Sequence, residues 1–351
     1  MRALVLSGGA GSRLRPLTHT QAKQLIPIAG EPILFHVLDA IRDADIEEVG
    51  IVVGTTGSEV RAAVGDGSRW GLAVTYIDQP EPLGLAHAVL TAADFVRGEP
   101  FLMYLGDNVL LEGVTAFVRE FERARPDAQI FVTQVSEPEH FGVVVLEGDR
   151  VVRLVEKPRS FVSDLALVGV YLFDDSILEA CANLSPSWRG EYEITEAIQW
   201  LIDQGRTVRV HMLDGWWKDT GRPEDLLEAN RMLLAAREPK VEGDVDAAST
   251  LDGAVTIAPG ATVTASTLTG PVVIGPGCLV ERSSIGPNVS LEEGCRVLDS
   301  TIRDSILMAG CAVTGIDALE ASILGRNVEV RHIVGGSHRL VVGDQSRLEV
   351  D

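Results

Sequence analysis

Residues 2–13 read RALVLSGGAGSR, residues 33–44 read ILFHVLDAIRDA, and residues 48–54 read EVGIVVG. The first stretch is a short apolar strand that runs straight into a glycine-rich turn. In the second, Pro32 precedes the run. Ile33, Val37 and Ile41 share one helical face, with Leu34 and Leu38 beside it. The third is another short apolar strand. Strand, glycine turn, helix and strand in that order predict an α/β fold whose strands are covered on both faces. Further strands follow at 72–77 (LAVTYI), 101–106 (FLMYLG), 129–135 (QIFVTQV) and 165–173 (LALVGVYLF). Residues 141–158 (FGVVVLEGDRVVRLVEKP) read as a hairpin turning at Glu147, Gly148 and Asp149. Residues 193–205 and the run after Pro223 read as helices.

Beyond the polar stretch 237–250 the texture changes. Between about 253 and 314 no amphipathic run is long enough for a helix. Ile257, Ile274 and Leu291 are spaced by 17 residues. So are Val263, Val280 and Val297, and so are Leu268, Ile285 and Ile302. Three series of one period predict a triangular left-handed β-helix of hexapeptide repeats. One coil cannot bury its own apolar side, whereas stacked coils can. Gly-Pro-Gly at 275–277 and Gly-Pro-Asn at 286–288 supply corners, and Cys278 and Cys295 read as a ladder of small residues inside the stack. The pattern loosens after 315, where 331–350 read as a cap. The expected domains are 1–236, a linker at 237–250, and a β-helix at 251–351.

Lys and Arg number 30 against 51 Asp and Glu, a formal charge of −21. A surface that acidic repels nucleic acid and anionic membrane. An anionic small substrate then requires a local basic cluster. No apolar run approaches a membrane span, and none of the four cysteines forms a CxxC pair. The expectation is a cytoplasmic, reduced protein.

The basic cluster lies beside the glycine turn. Gly8, Gly9 and Gly11 follow the first strand, with Arg13, Arg15 and Lys23 close behind. Backbone N–H groups in such a turn can cradle phosphate. The turn is neither a P-loop, lacking GK[ST], nor a GxGxxG dinucleotide loop. Spacing alone also allows a plain structural turn with solvated cations. Asp107 stands at the end of a buried strand, where open α/β sheets bind ligands. Asp219 follows another β-like run, and two such carboxylates could hold one Mg²⁺ against substrate phosphates. Trp216 and Trp217 read as packing residues.

The stretch 6–28, LSGGAGSRLRPLTHTQAKQLIPI, resembles the signature of sugar-nucleotide pyrophosphorylases. The likeness continues in order through DQPEPLGLAHAV, YLGDN, FGVV, VEKP, LALVGVYLF, SWRGEYEITEAI and WWKDTG, covering 1–235. The wording is similar to the long glucose-1-phosphate thymidylyltransferases of actinobacterial deoxysugar and antibiotic gene sets, which also carry a hexapeptide tail. The resemblance implies a Rossmann-like nucleotidyltransferase domain with a mixed central sheet. It places Gly8, Gly11, Ser12 and Arg13 around the triphosphate and Lys23 on phosphate. Gln79 and Gly84 fall on the pyrimidine base, and Asp107 and Asp219 on Mg²⁺. Gly142, Glu156, Lys157 and Glu191 fall on the sugar phosphate. Two departures stand out: Glu31 replaces the family's Lys before Pro32, and RGEYEITE replaces RGELEITD.

The implied reaction joins dTTP and glucose 1-phosphate into dTDP-glucose and pyrophosphate by Mg²⁺-dependent in-line displacement. Arg13, Lys23 and Lys157 would neutralise charge. UTP, or another sugar 1-phosphate, is the alternative, because one methyl group is worth only about 1–3 kcal/mol of discrimination. A non-catalytic scaffold is a second alternative, opposed by the intact Arg13, Lys23, Asp107 and Asp219. An acyltransferase in the tail is a third, opposed by His332 and His338 falling after the regular repeats. A homo-oligomer is expected, with no nucleic-acid or membrane partner.

Overall fold

The computed structural model describes residues 1–333 and 335–349, so part of the expected cap at 331–350 lies outside it. Two compact units are formed, and neither is continuous in sequence. One joins Met1–Ala10 to Leu34–Asp219, the other Gly11–Ile33 to Thr220–Asp351.

The first unit is built on strands β1 (Arg2–Ser7), β2 (Glu48–Val53), β3 (Ala73–Asp78), β4 (Phe101–Leu105), β5 (Asn108–Leu110), β6 (Ala128–Gln134), β7 (Gly142–Glu147), β8 (Arg150–Glu156), β9 (Leu165–Phe173), β10 (Val208–Met212) and β11 (Trp217–Asp219). Nine of them form one mixed sheet, with the path β8-β7-β9-β4-β1-β2-β3 and with β6 joining β9 to β10. β1 runs parallel to β2 and β4, whereas β9 is antiparallel to β4 and β6. Helices α1 (Ile33–Asp43), α2 (Gly57–Val64), α3 (Leu85–Thr91), α4 (Thr115–Ala124), α5 (Ser176–Ala182) and α6 (Ile194–Asp203) accompany the sheet. Leu4, Phe101, Met103, Ile130, Val144 and Ile198 are all fully buried in one cluster. The apolar runs of the central strands are therefore continuous because both faces are covered. The hairpin expected at 141–158 is β7 and β8, paired Glu147 to Arg150.

The second unit contains α7 (Pro223–Ala236) and the left-handed β-helix. Its three sides are parallel sheets of seven, five and six strands among the described residues. The predicted columns are direct register partners. Ile257 pairs Ile274, which pairs Leu291; Val263 pairs Val280, which pairs Val297; Leu268 pairs Ile285, which pairs Ile302. Coiling persists beyond 315, with Val313 paired to Val330 and Val330 to Leu348. Cys278, Cys295 and Cys311 are buried, each donating its S–H to a carbonyl at Glu292, Met308 and Gly325 respectively. A serine ladder adds a second internal staple: Ser266 Oγ accepts from Ser283 N, and Ser283 Oγ from Ser300 N.

The segment 11–33 packs within this second unit. Gln21, only 4% exposed, donates from Nε2 to Met308 Sδ at 3.1 Å and accepts from Arg326 at 2.8 Å. Thr20 donates to Asp344 at 2.8 Å. Farther along, Ala29 N donates to Asn230, whose Oδ1 also takes the Ser290 hydroxyl, and Arg237 donates to Ala29 O.

Candidate active site

β1 and β4 are parallel, with Leu6 opposite Leu105. The turn beginning at Gly8 and the loop carrying Asp107 therefore leave the sheet at the same edge, where parallel sheets expose backbone groups to ligands. Asp107 is 8% exposed. Asn108 beside it donates to Asp107 at 3.2 Å, while its own Oδ1 accepts from Trp217 Nε1 at 2.6 Å and from Gly169 N at 3.3 Å. The short ribbon of β5 and β11 sets Asp219 opposite Asn108. Asp107 and Asp219 thus line one cavity together with Gly142, Glu156, Lys157 and Trp217. A buried carboxylate and a second one in the same cavity, both hard oxygen donors, suit a divalent cation whose remaining positions are filled by phosphate and water. Trp217, expected only to pack, lines this cavity and holds Asn108.

The far wall comes from the hairpin and α6. Glu156 closes β8, and Lys157 follows with φ +39 and its N–H bonded to Phe141 O. Lys157 Nζ lies 3.6 Å from Glu156, and Thr195 donates to Glu156 at 3.3 Å. Gly142 sits so close that an added Cβ would lie 2.6 Å from Thr195 Cγ2 and 3.0 Å from Glu156 Oε2. Any side chain there would fill the cavity floor.

Arg189 is the hub of the wall. Its guanidinium lies 3.5 Å from Glu156, 3.0 Å from Glu191 and 3.2 Å from Glu193. Glu191 thus belongs to the wall through Arg189 without lining the cavity itself. Burial, and then repulsion from Glu156, push the Glu193 carboxyl above its ordinary range, with Ser187 and Arg189 opposing. Asn108, Arg189, Glu193 and Thr195 were not singled out in the sequence: Arg189 and Glu193 act through neighbours, and Asn108 and Thr195 line the cavity as uncharged polar residues with no spacing signal of their own.

A second group of expected residues gathers at the edge near β3. Gln79 follows that strand, its N–H bonded to Val53 O. Its Oε1 would be 3.1 Å from a Cβ on Gly8, and its Nε2 is 3.4 Å from Gly84 O. Gly84 has φ +107, and a Cβ there would come 2.5 Å from Tyr192 O, so only glycine fits. Gly8, Gln79 and Gly84 therefore meet in the first unit. Gly11, Ser12, Arg13 and Lys23 belong to the second. Gly11 is left-handed, with φ +61, and opens a 3₁₀ turn over Ser12–Leu14, and its carbonyl accepts from Thr18. Lys23 opens another turn, Lys23–Leu25.

A sheet edge with a glycine turn and a cleft lined by two carboxylates and a lysine suits an enzyme that handles phosphates. The nucleotidyl transferase family model matches residues 2–236, which sets that class. Over its full length the chain is 53% identical to a glucose-1-phosphate thymidylyltransferase of Streptomyces griseus and 49% identical to one of Streptomyces antibioticus, covering 99% of each. A solved Bacillus anthracis structure described under the same enzyme name, in complex with sucrose, superposes with a TM-score of 0.63 at 32% identity. It covers 66% of this chain and 94% of its own. The chain belongs to the glucose-1-phosphate thymidylyltransferase family. No helix among the described residues is long and apolar enough to cross a membrane.

Proposed function

We propose that this enzyme transfers a thymidylyl group from dTTP to glucose 1-phosphate. The observation that carries the proposal is the single cavity in which Lys157 and Glu156 face Asp107 and Asp219, within a chain alike from end to end to two thymidylyltransferases. A glucose 1-phosphate oxygen bonds to the α-phosphorus, the bond to the β-phosphate breaks, and pyrophosphate leaves. The nucleophile is already an anion at neutral pH, so no strong general base is needed. The obstacle is the approach of two anions. Lys157 takes the sugar phosphate and Glu156 a sugar hydroxyl. Gly142 leaves room for the ring, and Glu191 shapes the rim through Arg189. Gly8, Gly11 and Ser12 offer N–H groups to the nucleotide, Arg13 and Lys23 neutralise the triphosphate, and Gln79 with Gly84 receives the base. A Mg²⁺ ion held by Asp107 and Asp219 would supply further charge neutralisation. These groups hold the reactants in line and oppose charge build-up on the leaving group.

Four buried free thiols support a reduced, cytoplasmic setting. Val241 and Leu251, exposed at the start of the stack, support its use in a homo-oligomer. The test is a coupled pyrophosphate-release assay with dTTP and UTP against glucose, galactose and mannose 1-phosphates. The expected result is dTDP-glucose formation and its reversal. No sugar nucleotide from any combination would overturn the proposal.

A further inference from the structure

We propose that His87 is a positioning residue that sets which end of the Gln79 amide meets the nucleotide base. The inference rests on the reading of Gln79 as the base-binding residue.

The Gln79 side chain has three neighbours. Nε2 lies 2.9 Å from His87 Nδ1 and 3.4 Å from Gly84 O. Oε1 faces Gly8, 3.1 Å from where a Cβ would be. A main-chain carbonyl can only accept, so the amide nitrogen must lie on the Gly84 side. His87 Nδ1 then faces an N–H donor and must itself be the acceptor, with the ring proton on Nε2. Both amide hydrogens are thereby used inside the protein, and the carbonyl oxygen is left for the ligand.

An outward acceptor matches the N3–H of a uracil- or thymine-type base. Cytosine presents a lone pair at N3, so two acceptors would face each other. Without His87 the amide keeps the long contact to Gly84 O, and it can turn its NH₂ outward. His87 therefore acts on base choice without touching the base.

The ring is braced from the sugar side. Tyr192 stacks on it, with centroids 6.4 Å apart and planes at 29°. The Tyr192 backbone locks the start of α3, donating to Leu83 O at 2.7 Å and accepting from Ala86 N at 3.0 Å. Tyr192 is one of the two residues, with Glu196, at which RGEYEITE departs from the family's usual wording, and it lies between Glu191 and Glu193 of the sugar wall.

The experiment compares kcat/KM for dTTP and dCTP, with glucose 1-phosphate, in the parent and in His87→Phe, His87→Gln and Gln79→Ala. His87→Phe keeps a ring against Tyr192 but offers no acceptor. The expected result is a fall of about tenfold in the dTTP:dCTP ratio, carried by nucleotide KM, with the KM for glucose 1-phosphate within about twofold of the parent. His87→Gln, which restores an acceptor, should recover most of the ratio. Should His87→Phe not fold, His87→Lys serves instead, because it can only donate and should lower the ratio likewise. An unchanged ratio in these variants, while Gln79→Ala abolishes discrimination, overturns the positioning role and spares the base reading. Equal losses for both nucleotides mean a merely structural histidine and also overturn it. An unchanged ratio in Gln79→Ala overturns the base reading and the positioning role together.

Discussion

Asp107 and Asp219 reach one cavity from positions more than a hundred residues apart in the chain, through the ribbon that pairs Asp219 with Asn108. Asp107→Asn and Asp219→Asn should each lower Mg²⁺-dependent turnover by at least about a hundredfold, the scale of losing one transition-state charge contact. The fold should be kept, as read by circular dichroism and a Mg²⁺ titration of rate. Near-parental turnover at limiting Mg²⁺ in either variant would remove that residue from the mechanism. Arg189 was invisible in the sequence because an arginine between loop residues carries no periodic or turn signal. Only the fold brings Glu156, Glu191 and Glu193 around it. Glu292 was equally hidden. Its Oε1 is buried and has no hydrogen-bond partner among the described residues, and burial and Glu31, opposed by Arg237, push its carboxyl up to about 7. Between the ordinary carboxylate range and about 7 the folded chain keeps a proton that the unfolded chain has lost. Stability therefore falls as pH rises through that window. Glu292→Gln should be more stable than the parent by about 1–2 kcal/mol at pH 8 and nearly equal to it at pH 4.5. Denaturant melts at the two pH values check this.

At the scale of elements, the β-helix was legible because its inward positions repeat in a fixed period and are apolar at every turn. Its later coils were not. Leu291 pairs Leu307 and Val297 pairs Val313, a step of 16 residues instead of 17, and Val330 to Leu348 is a step of 18. Length changes at the corners break a strict period in the sequence without breaking the stack. The mixed sheet was legible as strands, but its order was not, since a buried apolar strand does not state its neighbour. Ile285 is fully buried and paired between Leu268 and Ile302. Ile285→Asp would place an unpartnered carboxylate in that column, costing about 3–5 kcal/mol or unravelling the coils. Limited proteolysis should then cut the tail first, leaving the sheet of the first unit resistant.

At the scale of the whole molecule, the glycine turn is where the chain leaves one compact unit for the other. Segment 11–33 sides with the C-terminal coils, a grouping no local pattern announces, because Gly8 and Gly11 are near neighbours in sequence. Deleting 250–351 removes the partners of Thr20 and Gln21. Hydrogen exchange over 12–31 should speed up in that truncation, and the KM for dTTP should rise more than the KM for glucose 1-phosphate. A smaller size in solution would support the assembly role, and an unchanged size would remove it. A separation of 305 residues between Gln21 and Arg326 also bears on biosynthesis. At about 5–20 residues per second, a ribosome delivers Arg326 roughly 15–60 s after Gln21. The signature motif is translated well before its packing partners. A nascent chain stalled before the tail would carry every strand of the first unit's sheet while segment 11–33 still lacked Arg326 and Asp344.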